Sequence, residues 1–173
     1  LALVMSLALL VVALPVLAES VTVAHGLGET EVTVNPQRVV VFDYGTLDAL
    51  HHAGIEVAAL GKAGVLPEHL AQYADDSAYP VAGTLHEPDF EAVNELQPDL
   101  ILIGARASTS YEELGKIAPT ALITMPTAGY LDTFEANMEL LAQIFPDKAE
   151  AFTGAVADIR TRAAAVAEKV SAQ

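Results

Sequence analysis

Hydrophobic and polar residues alternate in two short segments near the front of the chain, residues 21–25 and 31–34, on either side of a glycine-containing stretch. Alternation with a period of two is typical of strands that bury one face, so these segments predict a β-hairpin. Residues 38–42 do not alternate, because four of the five are apolar and three are β-branched. A continuous apolar run of this kind predicts a central parallel strand with helices covering both faces.

Helical and extended patterns alternate along the rest of the chain. Pro88 and Asp89 mark the start of one helix, and Pro98 and Asp99 separate it from the next apolar run. The predicted helices cover residues 46–52, 90–96, 110–117 and 130–145, and the predicted strands cover residues 55–60, 100–103 and 121–124. This order predicts an α/β fold in which a mostly parallel sheet is flanked by helices.

The last segment, from residue 147 to about residue 170, has the composition of one long helix. It lacks proline, is rich in alanine, and places Phe152, Val156 and Ile159 at helical spacing. With a rise of 1.5 Å per residue, about 24 residues would span about 36 Å, which is the length of a small domain. We therefore expect this helix either to pack along the domain or to lead to another part of the protein.

The first 18 residues carry no charge and only one clearly polar side chain, that of Ser6. An apolar core ends at Pro15 and is followed by Val16, Leu17 and Ala18, which is the pattern cleaved by signal peptidase. We predict a signal peptide over residues 1–18, although a retained membrane anchor is an alternative for a segment of this length. The basic residues that normally open a signal peptide are missing, so we expect the sequence to begin inside it.

The chain has no cysteine, and its 8 basic and 23 acidic residues give a formal net charge of −15. Without cysteine there is no disulfide and no thiol for a lipid after the predicted cleavage point. We therefore expect a periplasmic protein that is not lipid-anchored. The negative charge speaks against nucleic acid or an anionic membrane as a partner, since both are bound through basic patches.

Candidate binding residues follow the predicted strands, because ligands of open parallel sheets bind at the carboxyl ends of the strands. Arg106 is the strongest candidate, since a guanidinium presents a fixed fork of donors to a carboxylate or another anionic oxygen. A structural ion pair with a nearby acid is the alternative for this side chain. The other candidates in these loops are Tyr44, Gly45, Thr84 and Ser108.

Other kinds of site have weak support in the sequence. His51 and His52 are adjacent on a predicted helix, so their side chains diverge by about 100° and do not form a chelating pair. The remaining histidines lie in separate segments, and we predict no metal site. The chain also lacks a cysteine nucleophile, a Gly-x-Ser-x-Gly motif and a Walker motif, so we predict no catalytic residue.

Several motifs together resemble the iron-siderophore periplasmic binding proteins. The resemblance runs through residues 35–41, 47–50, 54–57, 81–83, 88–91 and 94–101. Within that family, the glycine and arginine at 104 and 106, with residues 111–114 and 117–120, look most like the subgroup that binds ferric catecholate siderophores such as petrobactin. The resemblance covers residues 21 to about 169.

The resemblance implies a protein of two α/β lobes joined by a single long helix, with the ligand held between the lobes. Residues 19–146 would be the N-terminal lobe and residues 147–173 the connecting helix, with the C-terminal lobe absent from this sequence. The family captures its ligand without covalent chemistry and delivers it to the permease of an ABC importer. We therefore expect a monomeric binding protein without a cofactor of its own.

Two residues take a role from the resemblance. Arg106 matches an arginine of the first lobe that faces the negatively charged ferric complex, and Glu91 matches an exposed glutamate that docks on the permease. An ordinary surface acid is the alternative for Glu91. For the protein as a whole, the alternatives are a haem or corrinoid binder on the same scaffold and, from another class, a secreted α/β enzyme.

Overall fold

The computed structural model describes residues 19–125 and 128–171. It opens with the predicted hairpin, in which strand β1 (Ser20–His25) pairs antiparallel with β2 (Gly28–Thr33). Val23 and Val32 point inward and are fully buried, while their polar neighbours face solvent. The alternation seen in the sequence therefore corresponds to a hairpin that covers one side of the core.

A separate four-stranded sheet forms the centre of the fold. Its strands are β3 (Val39–Phe42), β4 (Ala59–Leu60), β5 (Leu100–Ile103) and β6 (Thr120–Leu122). They lie in the order β4-β3-β5-β6, and every neighbouring pair is parallel. The predicted α/β class with a parallel sheet is confirmed.

In the described parts of the chain, five α-helices connect and cover these strands. They are α1 (Tyr44–His52), α2 (Phe90–Leu96), α3 (Tyr111–Leu114), α4 (Tyr130–Ile144) and α5 (Ala149–Ser171). Asp89 begins α2 as predicted, because its carboxylate accepts hydrogen bonds from the N–H groups of Glu91 and Ala92. No described helix is both long enough and apolar enough to span a bilayer.

The apolar run of β3 is buried on both faces, and its side chains alternate between two cores. Val39 and Val41 pack with the hairpin, α1, α4 and the first part of α5. Val40 and Phe42 point to the opposite face, which α2 and α3 cover. Both faces of β3 are buried, so every position of the strand is apolar, as its sequence predicted.

The long helix α5 divides into two parts. Phe152 and Val156 in its first part are buried against the domain. From residue 157 to residue 171 every side chain except that of Ala163 is exposed. In this second part, the guanidinium of Arg160 donates hydrogen bonds to Asp132 and Glu135 of α4.

Several predicted elements differ from the structure. The strand expected at residues 55–60 is reduced to β4, because the N–H of Ile55 closes the end of α1 on Leu50. The helix expected at residues 110–117 is α-helical only over α3. Short 3₁₀-helices occur at Glu68–Ala74, Ala105–Ser110 and Pro146–Lys148, none of which was predicted. The predicted signal peptide and the last two residues of the predicted connecting helix lie outside the described residues.

Candidate ligand-binding site

The carboxyl ends of the four parallel strands lie at one edge of the sheet. The chain runs from β3 to β4 on one side and then returns to place β5 on the other side of β3. The strand order therefore reverses between β3 and β5, and open α/β sheets bind ligands at such a switch point. The first residues after these two strands include four of the five candidate binding residues: Tyr44 and Gly45 at the start of α1, and Arg106 and Ser108 on the 3₁₀-helix after β5.

Arg106 stands on the 3₁₀-helix that begins directly after β5. The neighbouring Ala107 anchors this turn, since its side chain is fully buried and its N–H donates to the carbonyl of Gly104 at 3.1 Å. The Arg106 side chain itself is exposed. In the described part of the chain, the ion pairs of lysine and arginine involve Lys62, Lys116, Arg160 and Arg162. No described carboxylate is paired with Arg106, so the alternative of a structural ion pair is not seen.

The loops after β3 and β5 touch each other at Asp43 and Gly104. A β-carbon placed on Gly104 would lie 2.6 Å from Oδ2 and 2.9 Å from Cβ of Asp43. The other carboxylate oxygen of Asp43 caps α1, accepting hydrogen bonds from the N–H and hydroxyl of Thr46 at 2.8 and 3.1 Å. The two sides of the switch point are therefore in direct contact through one carboxylate.

Tyr44 joins this pair of loops to the loop after β4. Its hydroxyl donates to the carbonyl of Ala63 at 3.0 Å and accepts from the N–H of the same residue at 2.9 Å. Tyr44 is half-buried, and its hydroxyl is already used within the protein. Its neighbour Gly45 is exposed at the beginning of α1.

Thr84 lies in the next loop, which the structure connects to the same edge. The Thr84 hydroxyl accepts from the N–H of Glu87 at 2.9 Å and closes a tight turn. A β-carbon on Gly61, directly after β4, would lie 2.8 Å from the Thr84 carbonyl, and the N–H of Lys62 donates to Gly83 at 2.9 Å. Thr84 is thus linked to the site through the loop after β4 and stands on the far side of that loop from Arg106.

Two exposed residues at this edge were not among the predicted site residues. Met125 follows β6, and Tyr130 begins α4 with 57% of its surface exposed. Both line a cavity of about 130 Å³ that also touches Asp43, Gly45 and Thr46. A larger cavity of about 290 Å³ lies between α1, α4 and α5. The strand ends remain the candidate site, because the larger cavity lies among helices behind them.

Glu91 lies in the first turn of α2 and is exposed. The helix start is fixed by Asp89, and the side chain of Phe90 next to Glu91 is also 40% exposed. An acid and an aromatic side chain therefore stand together on the surface where α2 begins.

Three of the five histidines bond to the side chains of other residues. His51 contacts the hydroxyl of Tyr73, and His69 contacts the carboxylate of Asp48. His25 contacts the hydroxyl of Thr30, and burial lowers the pKa of the His25 imidazole. Within residues 19–125 and 128–171, no group of three histidine, aspartate or glutamate side chains is placed to hold a metal ion.

Known proteins share both the sequence and this architecture. The petrobactin-binding protein YclQ of Bacillus subtilis is 46% identical over 145 residues, which are 82% of this chain and 45% of that protein. Its crystal structure superposes with a TM-score of 0.81 over 88% of this chain and 55% of that chain. The catecholate-siderophore binding protein VctP of Vibrio cholerae is 42% identical, with a TM-score of 0.77 over 82% of this chain and 50% of that chain.

The match to these proteins is partial on their side, since the chain spans about half the length of the relatives that it matches. The family model described as periplasmic binding protein matches residues 39–173, from the first parallel strand through the end of the sequence. That span contains the whole parallel sheet, the loops at its carboxyl edge and the long helix. The chain therefore belongs to the periplasmic binding protein family.

Proposed function

We propose that this chain is the ligand-binding first lobe of a protein that captures a ferric siderophore of the catecholate type for an ABC importer. The observation that carries the proposal is the exposed Arg106, which lies at the switch point of the sheet without an acidic partner in the described chain. The names of the relatives support the ligand class, since they bind petrobactin, ferric anguibactin or catecholate siderophores.

The net charge of the chain is the reason to expect that one arginine has a large effect on the binding of an anionic ligand. With a formal net charge of −15, the protein repels an anionic complex unless local basic groups reverse the field. Lys62, which also follows a strand of the sheet, is occupied by Asp76 at 2.6 Å and by the carbonyl of Tyr79 at 3.0 Å. Of the two described basic residues that follow strands of the sheet, Arg106 is therefore the one that is available to an anionic ligand.

Residues 19–146 form the first lobe in this proposal, and residues 147–173 form the helix that connects it to a second lobe. The exposed part of α5 supports this division, because Ile159, Val166 and Val170 lie on the surface at helical spacing. An apolar stripe of this kind fits a helix that packs against a further part of the protein. The second lobe would close the site over the loops at the carboxyl edge of the sheet.

The protein acts outside the cytoplasmic membrane in this proposal, as expected for its family. We propose a periplasmic protein exported by a signal peptide over residues 1–18 and held without a lipid, because no cysteine follows Ala18. Two Bacillus subtilis relatives are named as lipoproteins, so this part of the proposal is not taken from the relatives. The protein would work as a monomer and dock on the permease through Glu91.

The test is a pair of arginine substitutions in the full-length protein. Arg106→Ala should weaken binding of a ferric catecholate by about 1.5–3 kcal/mol, the scale of a hydrogen bond to a charged group, with little change in melting temperature. Arg106→Lys should recover part of the affinity, since an ammonium keeps the charge without the fork. Arg38→Ala is the matched control, because Arg38 is also exposed but precedes β3 at the opposite edge of the sheet.

Isothermal titration against ferric catecholate, haem and cobalamin measures these effects and separates the ligand classes. Equal losses for Arg106→Ala and Arg38→Ala would show that only the overall charge matters. Unchanged affinity with a large drop in thermal stability would make Arg106 a structural residue. Preferential binding of haem or cobalamin would replace the proposed ligand.

A further inference from the structure

Gly104 occupies the point where the loop after β5 crosses the loop after β3. Its backbone torsions, φ −91° and ψ 177°, are extended values that any residue adopts. The requirement for glycine is therefore one of space, because a β-carbon would meet Oδ2, Cβ and Cγ of Asp43 at 2.6, 2.9 and 3.0 Å. Carbon atoms pack at about 3.5–4.0 Å, so alanine at this position would need a shift of about 1 Å.

Neither side of this contact moves easily. Asp43 follows the fully buried β3, and its carboxylate is fixed by the N–H and hydroxyl of Thr46 at the start of α1. On the other side, Ile103 is fully buried and its carbonyl accepts from the N–H of Ile123 at 2.9 Å. The turn that follows Gly104 would therefore have to shift to relieve the steric overlap.

We propose that Gly104 is a positioning residue for Arg106, because only glycine lets the end of β5 pass against Asp43 and so fixes where Arg106 stands at the switch point. Arg106 lies between Gly104 and Ala107, which are joined by the hydrogen bond from the Ala107 N–H to the Gly104 carbonyl. A displaced Gly104 carbonyl moves both ends of this short turn, and the arginine moves with it. The inference deepens the proposed function and rests on it.

Moving the glycine from position 104 to position 43, on the other side of the contact, tests this idea in the full-length protein. Gly104→Ala should lower the affinity for a ferric catecholate about tenfold or more, which corresponds to at least ~1.4 kcal/mol. Asp43→Gly removes the opposing side chain. Replacing an aspartate that caps a helix with glycine costs only a few tenths of a kcal/mol. The double variant should bind within about threefold of Asp43→Gly alone, since ~0.6 kcal/mol or less then remains of the conflict.

A second measurement reads the position of residue 106 without any ligand. The printed sequence has no cysteine, so Arg106→Cys provides a single thiol in this lobe for a nitroxide label. The spectrum of the label should change with Gly104→Ala and return with the double variant. A further outcome is that the spectrum changes and is rescued in this way although the protein with Arg106 intact binds no ferric catecholate. That result would support the positioning role and overturn the proposed function.

Two results would overturn the positioning role. In the first, Gly104→Ala leaves both the affinity and the label spectrum unchanged, which means that the contact with Asp43 does not determine the turn. In the second, the affinity falls but Asp43→Gly fails to restore it, which means that the added methyl group acts through other neighbours. The melting temperatures of all variants show whether a variant has lost its fold. A double variant that recovers its affinity must contain a folded lobe.

Discussion

The loops at the carboxyl edge of the sheet and the second half of α5 are both exposed, but they are built differently. The loops are tied to one another through Tyr44 and Ala63, Asp43 and Gly104, and the close approach of Gly61 to Thr84. Apart from the hydrogen bonds of Arg160 to α4, the described hydrogen bonds of the second half of α5 lie within the helix, and Val166 is 61% exposed.

This difference shows that exposure has two origins in one lobe. The loops are held together within the protein, and in the proposed function such a preorganised surface would lower the entropy cost of binding a ligand. The second half of α5 has an apolar stripe without a described partner, so its surface fits a contact to be made with another part of the protein. The following predictions test whether the two surfaces are as different as they look.

The largest effect should come from the first half of α5. Phe152→Ala should lower the free energy of unfolding by about 3–5 kcal/mol, because a fully buried ring is replaced by a cavity. Val166→Ala on the exposed half should change it by less than about 0.5 kcal/mol in a chain that ends at Gln173. Urea denaturation measures both values. Similar losses for the two variants would mean that the exposed stripe is already packed within this chain.

An intermediate effect should come from the loops. Tyr44→Phe should cost about 1 kcal/mol, because the half-buried polar groups of Ala63 lose their partner. Amide exchange in residues 61–67 should become faster at the same time. Tyr130→Phe is the control, since Tyr130 is exposed at the same edge. If both variants exchange as the parent protein does, the loops are held by something other than the Tyr44 hydroxyl.

The smallest effect should come from the contact where α5 leaves the domain. Arg160 is exposed, so its hydrogen bonds to Asp132 and Glu135 compete with water and are screened by salt. Arg160→Ala should lower the melting temperature slightly at low salt and leave it unchanged at about 1 M salt, where charges are screened within a few Å. Arg162→Ala is the matched control, because Arg162 pairs within α5 with Asp158. A large loss that persists in salt would show that Arg160 fixes the direction of α5.

Much of the fold could be predicted because sequence and burial agree at particular residues. The apolar run of β3 predicted a strand with two dry faces, and Asp89 predicted the start of α2. The 3₁₀-helix at Glu68–Ala74 was missed because it buries only Leu70 and Tyr73, too few positions for a period to appear. The expected strand at residues 55–60 was too long, since an apolar run does not show how many of its residues find a partner.

The sequence placed the candidate residues after predicted strands, but it could not show how they contact one another. Arg106 became a candidate because it follows a predicted parallel strand, and the resemblance to siderophore-binding proteins implied a role for it. The contact between Asp43 and Gly104 could not be predicted, because it depends on which strands become neighbours in the sheet. Met125 could have been found by the same rule as Arg106, since it also follows a strand of the sheet.

The ends of the sheet have a further consequence for how copies of this chain meet. On one outer side, Leu60 of β4 is already bonded to residues 80–82, a segment that begins with a proline and so lacks one donor. On the other outer side, β6 has three residues, and the hydroxyl of Thr30 in the hairpin donates a hydrogen bond to the carbonyl of Thr120 at 2.8 Å. Neither side offers a long row of open backbone groups to a strand from another molecule. Crowding of this chain should therefore not add strands from other molecules to the parallel sheet.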